Sequence, residues 1–229
     1  SLRESLKPQK TEIKQTEKAI AKLEDKKAAA EAKAAEAAKK VEAEAVLKKL
    51  LASGMTADEI NAVVDEIPNV QVANYNCPGQ IVISGLKEAV ETAAVKLKEA
   101  GARRVIPLNV SGPFHSYLLE EAGEKLGKFL ENIPVAEPVI PYVANVTAAY
   151  VTKAEDVKPL LTRQVSSSVR WQQSVETMLA DGVDTFIEIG PGKTLAGFMR
   201  KIDRSAKVYN VEKLEDVQKV VEALSAQEE

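Results

Sequence analysis

The chain has one cysteine, Cys77, and one histidine, His115, among its 229 residues. A single cysteine excludes an intramolecular disulfide and is typical of a reducing compartment. Metal-ligating residues do not occur at suitable spacings, so the sequence predicts no metal site and no cofactor. No run approaches the roughly 18 apolar residues of a membrane span, and the N-terminus lacks the apolar core of a signal peptide. We therefore expect a cytoplasmic protein without a membrane segment.

The chain also has little excess charge of either sign, since its formal net charge is −3. Residues 1–50 carry 13 Lys and Arg against 9 Asp and Glu, so the remaining residues carry 18 against 25. Aromatic residues make up 4% of the chain and do not interleave with the basic ones. This dilute charge argues against nucleic-acid binding.

The first part of the chain is rich in Ala, Lys and Glu. Residues 9–51 contain no Gly or Pro. This composition has high helix propensity and allows many Glu–Lys pairs along a helix surface. It predicts one long helix or a helical hairpin as a separate unit of residues 1–54, either coiled-coil-like or an engineered extension.

The remaining sequence alternates between short apolar strands and amphipathic helices. A capping box at Thr56 to Glu59 opens a helix that Pro68 stops, and Pro78-Gly79 marks a tight turn between two strands. Ser116 is placed to cap the helix that follows His115. Strands are predicted at 70–74, 80–84, 104–110, 139–143, 185–189 and 207–211, and helices at 56–67, 86–100, 116–132, 154–163, 171–181, 193–202 and 214–224. Alternating strands and helices favour a largely parallel α/β layer in the second half.

Five motifs occur between residues 70 and 224 in an order that resembles one enzyme family. They are Asn74-Tyr75-Asn76-Cys77-Pro78-Gly79-Gln80-Ile81-Val82-Ile83-Ser84-Gly85, Val110-Ser111-Gly112-Pro113-Phe114-His115-Ser116, Asn145-Val146-Thr147-Ala148, Gln164-Val165 with Val169-Arg170-Trp171, and Glu188-Ile189-Gly190-Pro191-Gly192-Lys193. Their order is similar to that of the malonyl-CoA:acyl carrier protein transacylases of bacterial fatty-acid synthesis. The resemblance implies a partial α/β-hydrolase-like layer formed by residues 113–229 and a ferredoxin-like small subdomain formed by residues 55–112.

The resemblance also implies a catalytic role for one histidine. Family members transfer malonyl groups from CoA to acyl carrier protein through a serine that a histidine activates. His115 resembles that histidine, which needs an imidazole that titrates near neutral pH. Gln164 resembles the residue whose backbone carbonyl orients the imidazole, and Phe114 the residue that favours malonyl over bulkier acyl groups.

Other residues resemble parts of the family's substrate channel. Asn74, Asn76 and Gln80 match the small-subdomain edge that borders the thioester, and Asn145 is assigned to substrate binding by the same resemblance. Malonyl-CoA and acyl carrier protein are the implied partners.

Several family elements are not recognisable in the sequence. The Gly-x-Ser-x-Gly serine, the Gly-Gln-Gly segment and the arginine that pairs with the malonyl carboxylate would all precede Met55, and the first strand of the small subdomain is not evident between Leu51 and Asp58. Without nucleophile and oxyanion donors, little transition-state stabilisation remains. We therefore expect a chain that is inactive alone. It would be half of a transacylase that another chain completes, an engineered or truncated scaffold, or a module that binds carrier protein or CoA.

Overall fold

A computed structural model describes residues 24, 26–29, 47–108, 110 and 112–225. The chain divides into two units, Ser1–Ala45 and Val46–Glu229. In the first unit, residues 24 and 26–29 are helical and exposed, as the Ala/Lys/Glu composition predicts. The rest of the predicted helix up to residue 46, and its coiled-coil or engineered character, lies outside the described residues.

An antiparallel sheet of four strands opens the second unit. Its elements in chain order are β1 (Leu47–Ser53), α1 (Ala57–Val64), β2 (Val70–Cys77), β3 (Gln80–Leu86), α2 (Lys87–Glu99) and β4 (Arg104–Leu108). The strands lie in the order β2-β3-β1-β4, and every pair is antiparallel. This β-α-β-β-α-β arrangement is the ferredoxin-like topology.

Strand β1 corrects two expectations from the sequence. The composition predicts a helix through Leu51, and no first strand is recognisable in the sequence between Leu51 and Asp58. In the structure β1 lies between β3 and β4, so that Leu51 is opposite Val82 on one side and Ile106 on the other. Pairing on both edges outweighs the helix propensity of this Leu- and Lys-rich segment, because propensity is a weak preference that tertiary context overrides.

The core of this part lies between the sheet and its two helices. Fully buried side chains from both helices meet fully or nearly fully buried side chains of the strands: Ile60, Val64, Val90, Ala93, Leu97, Val72, Ile81 and Ile83. The capping box predicted at the start of α1 is present. The Glu59 N–H donates to Thr56 Oγ1 (3.3 Å), and the Thr56 N–H donates to Glu59 Oε2 (2.8 Å).

The second half of the unit contains five helices and two small sheets among its described residues. After a 3₁₀ turn at Tyr117–Leu119 come α3 (Glu120–Leu130), β5 (Tyr142–Ala144), β6 (Ala149–Val151), α4 (Ala154–Ser166), α5 (Trp171–Ala180), β7 (Thr185–Ile189), α6 (Thr194–Ile202), β8 (Lys207–Val211) and α7 (Leu214–Ser225). β7 and β8 pair in parallel, as predicted, whereas β5 and β6 form an antiparallel hairpin.

The strand predicted at residues 139–143 is wrong in position and in burial. Val139 and Ile140 are 97% and 80% exposed, and the strand begins at Tyr142. Pro138 and Pro141 flank the two exposed residues. Proline has no N–H to donate to a strand ladder, so this segment stays outside the sheet.

The motif that begins at Glu188 forms a tight turn between β7 and α6, which match the predicted strand at 185–189 and helix at 193–202. Gly190 and Gly192 have φ values of 136° and 88°, which glycine adopts readily. Glu188 accepts hydrogen bonds from the Leu195 and Ala196 N–H groups (3.0 and 2.9 Å) and thereby caps α6 from the preceding strand.

The segment after α4 ties the second half to the small sheet. Val169 donates its N–H to the Ala73 carbonyl (2.8 Å), and its own carbonyl accepts from the Tyr75 N–H (2.9 Å). Ser168 Oγ donates to the Val72 carbonyl (2.6 Å). These bonds hold the C-terminal end of α4 against β2, next to the loop that carries His115.

Candidate active site

His115 lies in the loop between β4 and the 3₁₀ turn. Its φ is 62°, in the left-handed region. Ser116 is fully buried, and its hydroxyl donates to the Pro113 carbonyl (2.6 Å). The prediction that Ser116 caps the next helix is therefore wrong, because the hydroxyl is used to close the loop.

The His115 imidazole contacts the end of α4. Its Nδ1 lies 3.0 Å from the backbone carbonyl of Gln164. Gln164 is in the last turn of α4, where carbonyls have no intrahelical donor. Because a carbonyl only accepts, this bond requires the proton on Nδ1, and in the neutral ring it leaves Nε2 as the basic nitrogen. The geometry suits a histidine that removes a proton through Nε2.

Gln71 on β2 is a further residue of the site, and it was not predicted. Its Oε1 accepts from the Tyr117 N–H (2.9 Å), and its Nε2 donates to the carbonyls of His115 (3.3 Å) and Ser166 (3.5 Å). One side chain thus joins the His115 loop, the 3₁₀ turn and α4. No local pattern marks Gln71, because its partners lie 44 or more residues away.

The other predicted residues lie around this centre and at the β2–β3 turn. Phe114 is 48% exposed, Asn74 forms a bridge with Val169, and Asn76 is half-buried. The Asn145 carbonyl accepts from the N–H of Arg170 (2.8 Å). Gln80 accepts a hydrogen bond from Lys201 Nζ (3.0 Å), which joins the turn to α6.

Cys77 is 1% exposed beside this turn. Burial raises the pKa of the Cys77 thiol, although the nearby Lys201 lowers it in part. A thiol with a raised pKa is a poor nucleophile, so Cys77 fills space.

The described residues contain neither a cluster of metal ligands nor a membrane-spanning helix. Among the described residues, no three His, Cys, Asp or Glu side chains converge as metal ligands would. Nor does that part contain a helix with the length and apolar content needed to cross a bilayer.

Comparisons with known proteins agree with the motif order. The family model for the acyl transferase domain matches residues 21–225. The malonyl CoA-acyl carrier protein transacylase of Bacillus subtilis (strain 168) is 43% identical over 175 residues, which are 75% of this chain and 55% of that protein.

Solved structures show the same similarity. The malonyl CoA-acyl carrier protein transacylase of Clostridium perfringens superimposes with a TM-score of 0.76 at 38% identity, over 80% of this chain and 58% of that one. A malonyl-transacylase solved in complex with a type II PKS acyl-carrier protein has a TM-score of 0.75 at 35% identity, over 78% and 59%. The chain thus spans little more than half the length of these relatives. With a family model that matches most of its residues, the chain belongs to the acyl transferase domain family.

Proposed function

We propose that this chain carries the histidine side of a malonyl-CoA:acyl carrier protein transacylase site. The observation that carries the proposal is the 3.0 Å contact between His115 Nδ1 and the Gln164 carbonyl. This contact orients the imidazole and sets its tautomer without a carboxylate. The similarity to transacylases supplies the substrate class.

His115 acts in both halves of the transfer. Nε2 takes the proton from the attacking serine hydroxyl as the thioester carbonyl is attacked, and the imidazolium then protonates the leaving CoA thiolate. In the second half, Nε2 takes the proton of the phosphopantetheine thiol and returns it to the serine. The Gln164 carbonyl stabilises the imidazolium through the Nδ1–H bond in both steps.

The remaining predicted residues shape the acyl and pantetheine path. Phe114 precedes the base and limits the size of the acyl group. Asn74, Asn76, Gln80 and Asn145 border the thioester. Residues 113–229 contribute the α/β-hydrolase-like layer, and residues 55–112 contribute the small subdomain together with the upstream strand β1.

The nucleophile is not among these 229 residues in the expected form, since no Gly-x-Ser-x-Gly occurs in them. We therefore expect that residues 1–229 alone do not form an acyl-serine, and that transfer requires a serine-bearing segment supplied in addition. Malonyl-CoA and acyl carrier protein are then the substrates of the completed site.

Complementation tests this function. The chain is mixed with the serine-bearing N-terminal segment of the Bacillus subtilis relative, and malonyl transfer to holo acyl carrier protein is followed. We expect transfer with both pieces present, and its loss with His115→Ala and with His115→Gln. Lys128→Ala, an exposed substitution on α3, is the control and should keep full transfer. Transfer that survives both His115 substitutions would contradict the assigned role.

A binding role without turnover is the second candidate. The malonyl-transacylase that was solved in complex with its acyl-carrier protein favours this candidate, because this chain is 35% identical to that protein. Saturable binding of holo carrier protein to this chain, unchanged by His115→Ala and without turnover in the mixture, would support this role over the first.

A further inference from the structure

A polar cavity lies beside the His115 loop. Its volume is about 230 Å³, which exceeds that of a phosphate or a small dicarboxylate. Its walls come from β2, from the β5–β6 turn, from the C-terminal part of α4 and from the segment that joins α4 to α5. The lining residues are Gln71, Val146, Arg163, Ser166, Ser167, Ser168 and Arg170.

Two positively charged side chains line the cavity. Arg163 and Arg170 are both exposed, and no salt bridge there joins either guanidinium to a carboxylate. A guanidinium presents a planar fork of donors that matches the oxygens of phosphate and carboxylate groups. Two of them at one cavity favour an anion of more than one charge.

The helix ends next to the cavity also favour an anion. α5 begins directly after Arg170, has no acidic residue in its first turn, and has no side-chain cap. The N-terminal N–H groups of a helix attract anions. The opposing effect of the α4 C-terminus is reduced, because its carbonyls already accept hydrogen bonds: Gln164 from His115, Ser166 from Gln71, and Ser167 from Gln164 Nε2.

We propose that this cavity binds a small doubly charged oxyanion, held by Arg163, Arg170 and the hydroxyls of Ser166 and Ser167. His115 itself does not line this cavity. The cavity is coupled to the histidine, because Gln71 lines the cavity and also donates to the His115 carbonyl. An anion in the cavity therefore fixes the backbone that carries the imidazole.

The single histidine makes the coupling measurable. Calorimetric titrations of the full chain with inorganic phosphate and with malonate, and the one imidazole Cε1–H signal in NMR spectra, are compared with sodium chloride at equal ionic strength. We expect saturable heat and a saturable shift with at least one oxyanion and none with chloride. Tighter phosphate binding identifies a phosphate site, and tighter malonate binding a carboxylate site.

Variants locate the binding. Arg163→Gln and Arg170→Gln should each weaken binding by about tenfold, the effect of one charge-assisted hydrogen-bonded contact. Arg200→Gln, an exposed substitution on α6, is the matched control and should bind as the parent does. Absence of saturation with both oxyanions, an equal response to chloride, or equal weakening by Arg200→Gln would overturn the proposal. Since this binding needs no serine segment, its failure is distinguishable from failure of transacylation.

Discussion

His115 is held in a backbone conformation that a non-glycine residue adopts at a cost. Its φ of 62° lies in the left-handed region, which histidine enters more readily than most residues. Such conformations persist where the surroundings over-determine them. Here Gln71 holds the His115 carbonyl, Gln164 holds the imidazole, and Ser116 closes the loop. The position of the His115 imidazole thus depends on contacts from β2 and α4 as well as on its own loop.

Removal of the Gln71 side chain should loosen this loop. Gln71→Ala removes the acceptor of the Tyr117 N–H and the side-chain amide that donates to the His115 and Ser166 carbonyls. We expect the free energy of unfolding to fall by about 1–3 kcal/mol, the cost of unmet partly buried polar groups. Urea unfolding at neutral pH measures this loss of stability.

The matched control is Gln218→Ala. Gln218 makes one exposed hydrogen bond, to Glu222 on the same helix, so its loss should cost no more than about 0.5 kcal/mol. Equal effects of the two substitutions would show that Gln71 does not support the loop.

At the scale of elements, Glu188 links β7, α6 and β8. Besides capping α6, its Oε2 accepts from the Asn210 side-chain amide (2.8 Å). Burial alone would raise the pKa of Glu188. The bonds from Ala196, Leu195 and Asn210 together outweigh burial and lower the pKa below its ordinary value of 4.5. The carboxylate form is therefore the one that stabilises this junction.

This lowered pKa predicts a pH dependence. Because the folded pKa lies below the unfolded one, the stabilisation is complete above about pH 4.5 and is lost as the pH falls through the folded pKa. Glu188→Gln, which cannot ionise, should lower the free energy of unfolding by about 1 kcal/mol at pH 7. The difference from the parent should shrink below pH 4.5. Urea unfolding across this range checks it, and a difference that grows toward low pH would contradict the assigned cap.

Alanine substitutions at two glycine positions should change the free energy of unfolding in opposite directions. A Cβ at Gly85 on β3 would lie 2.7 Å from the Cα of Val70, so Gly85→Ala must move backbone atoms and should cost about 1–3 kcal/mol. Gly197 within α6 has open space around the same position, so Gly197→Ala should stabilise by about 0.5–1 kcal/mol. Thermal or urea unfolding of the two variants measures both changes in stability. A stable Gly85→Ala protein would show that the two strands do not approach this closely.

Particular elements show what the sequence could and could not predict. Periodicity and breakers were sufficient for α1, β7, α6 and β8, whose local signals agree with their packing. β1 was missed because its ladder partners, not its composition, make it a strand. The strand predicted at Val139 and Ile140 is wrong because the two flanking prolines cannot donate to a strand ladder, whatever the β propensity of the residues between them. The family resemblance was sufficient to pair His115 with Gln164. Gln71 has no local signal in the sequence, so only the fold shows that it contacts the His115 loop.

At the scale of the whole molecule, apolar surface is left uncovered around the parallel pair. Strands of parallel sheets are usually covered on both faces. On β7, however, Ile187 and Ile189 are 42% and 78% exposed, and Leu214 at the start of α7 is 84% exposed. The chain also spans 55% of the Bacillus subtilis relative. This exposed surface offers a face against which the proposed serine-bearing segment can pack.

Intact mass of the purified 229-residue chain after incubation with malonyl-CoA tests the central claim most directly. We expect no covalent malonyl adduct on the parent chain or on a His115→Ala variant, since no Gly-x-Ser-x-Gly nucleophile occurs in these residues. A malonyl adduct on the parent that disappears in His115→Ala would contradict the claim, because it would show that these residues contain their own nucleophile.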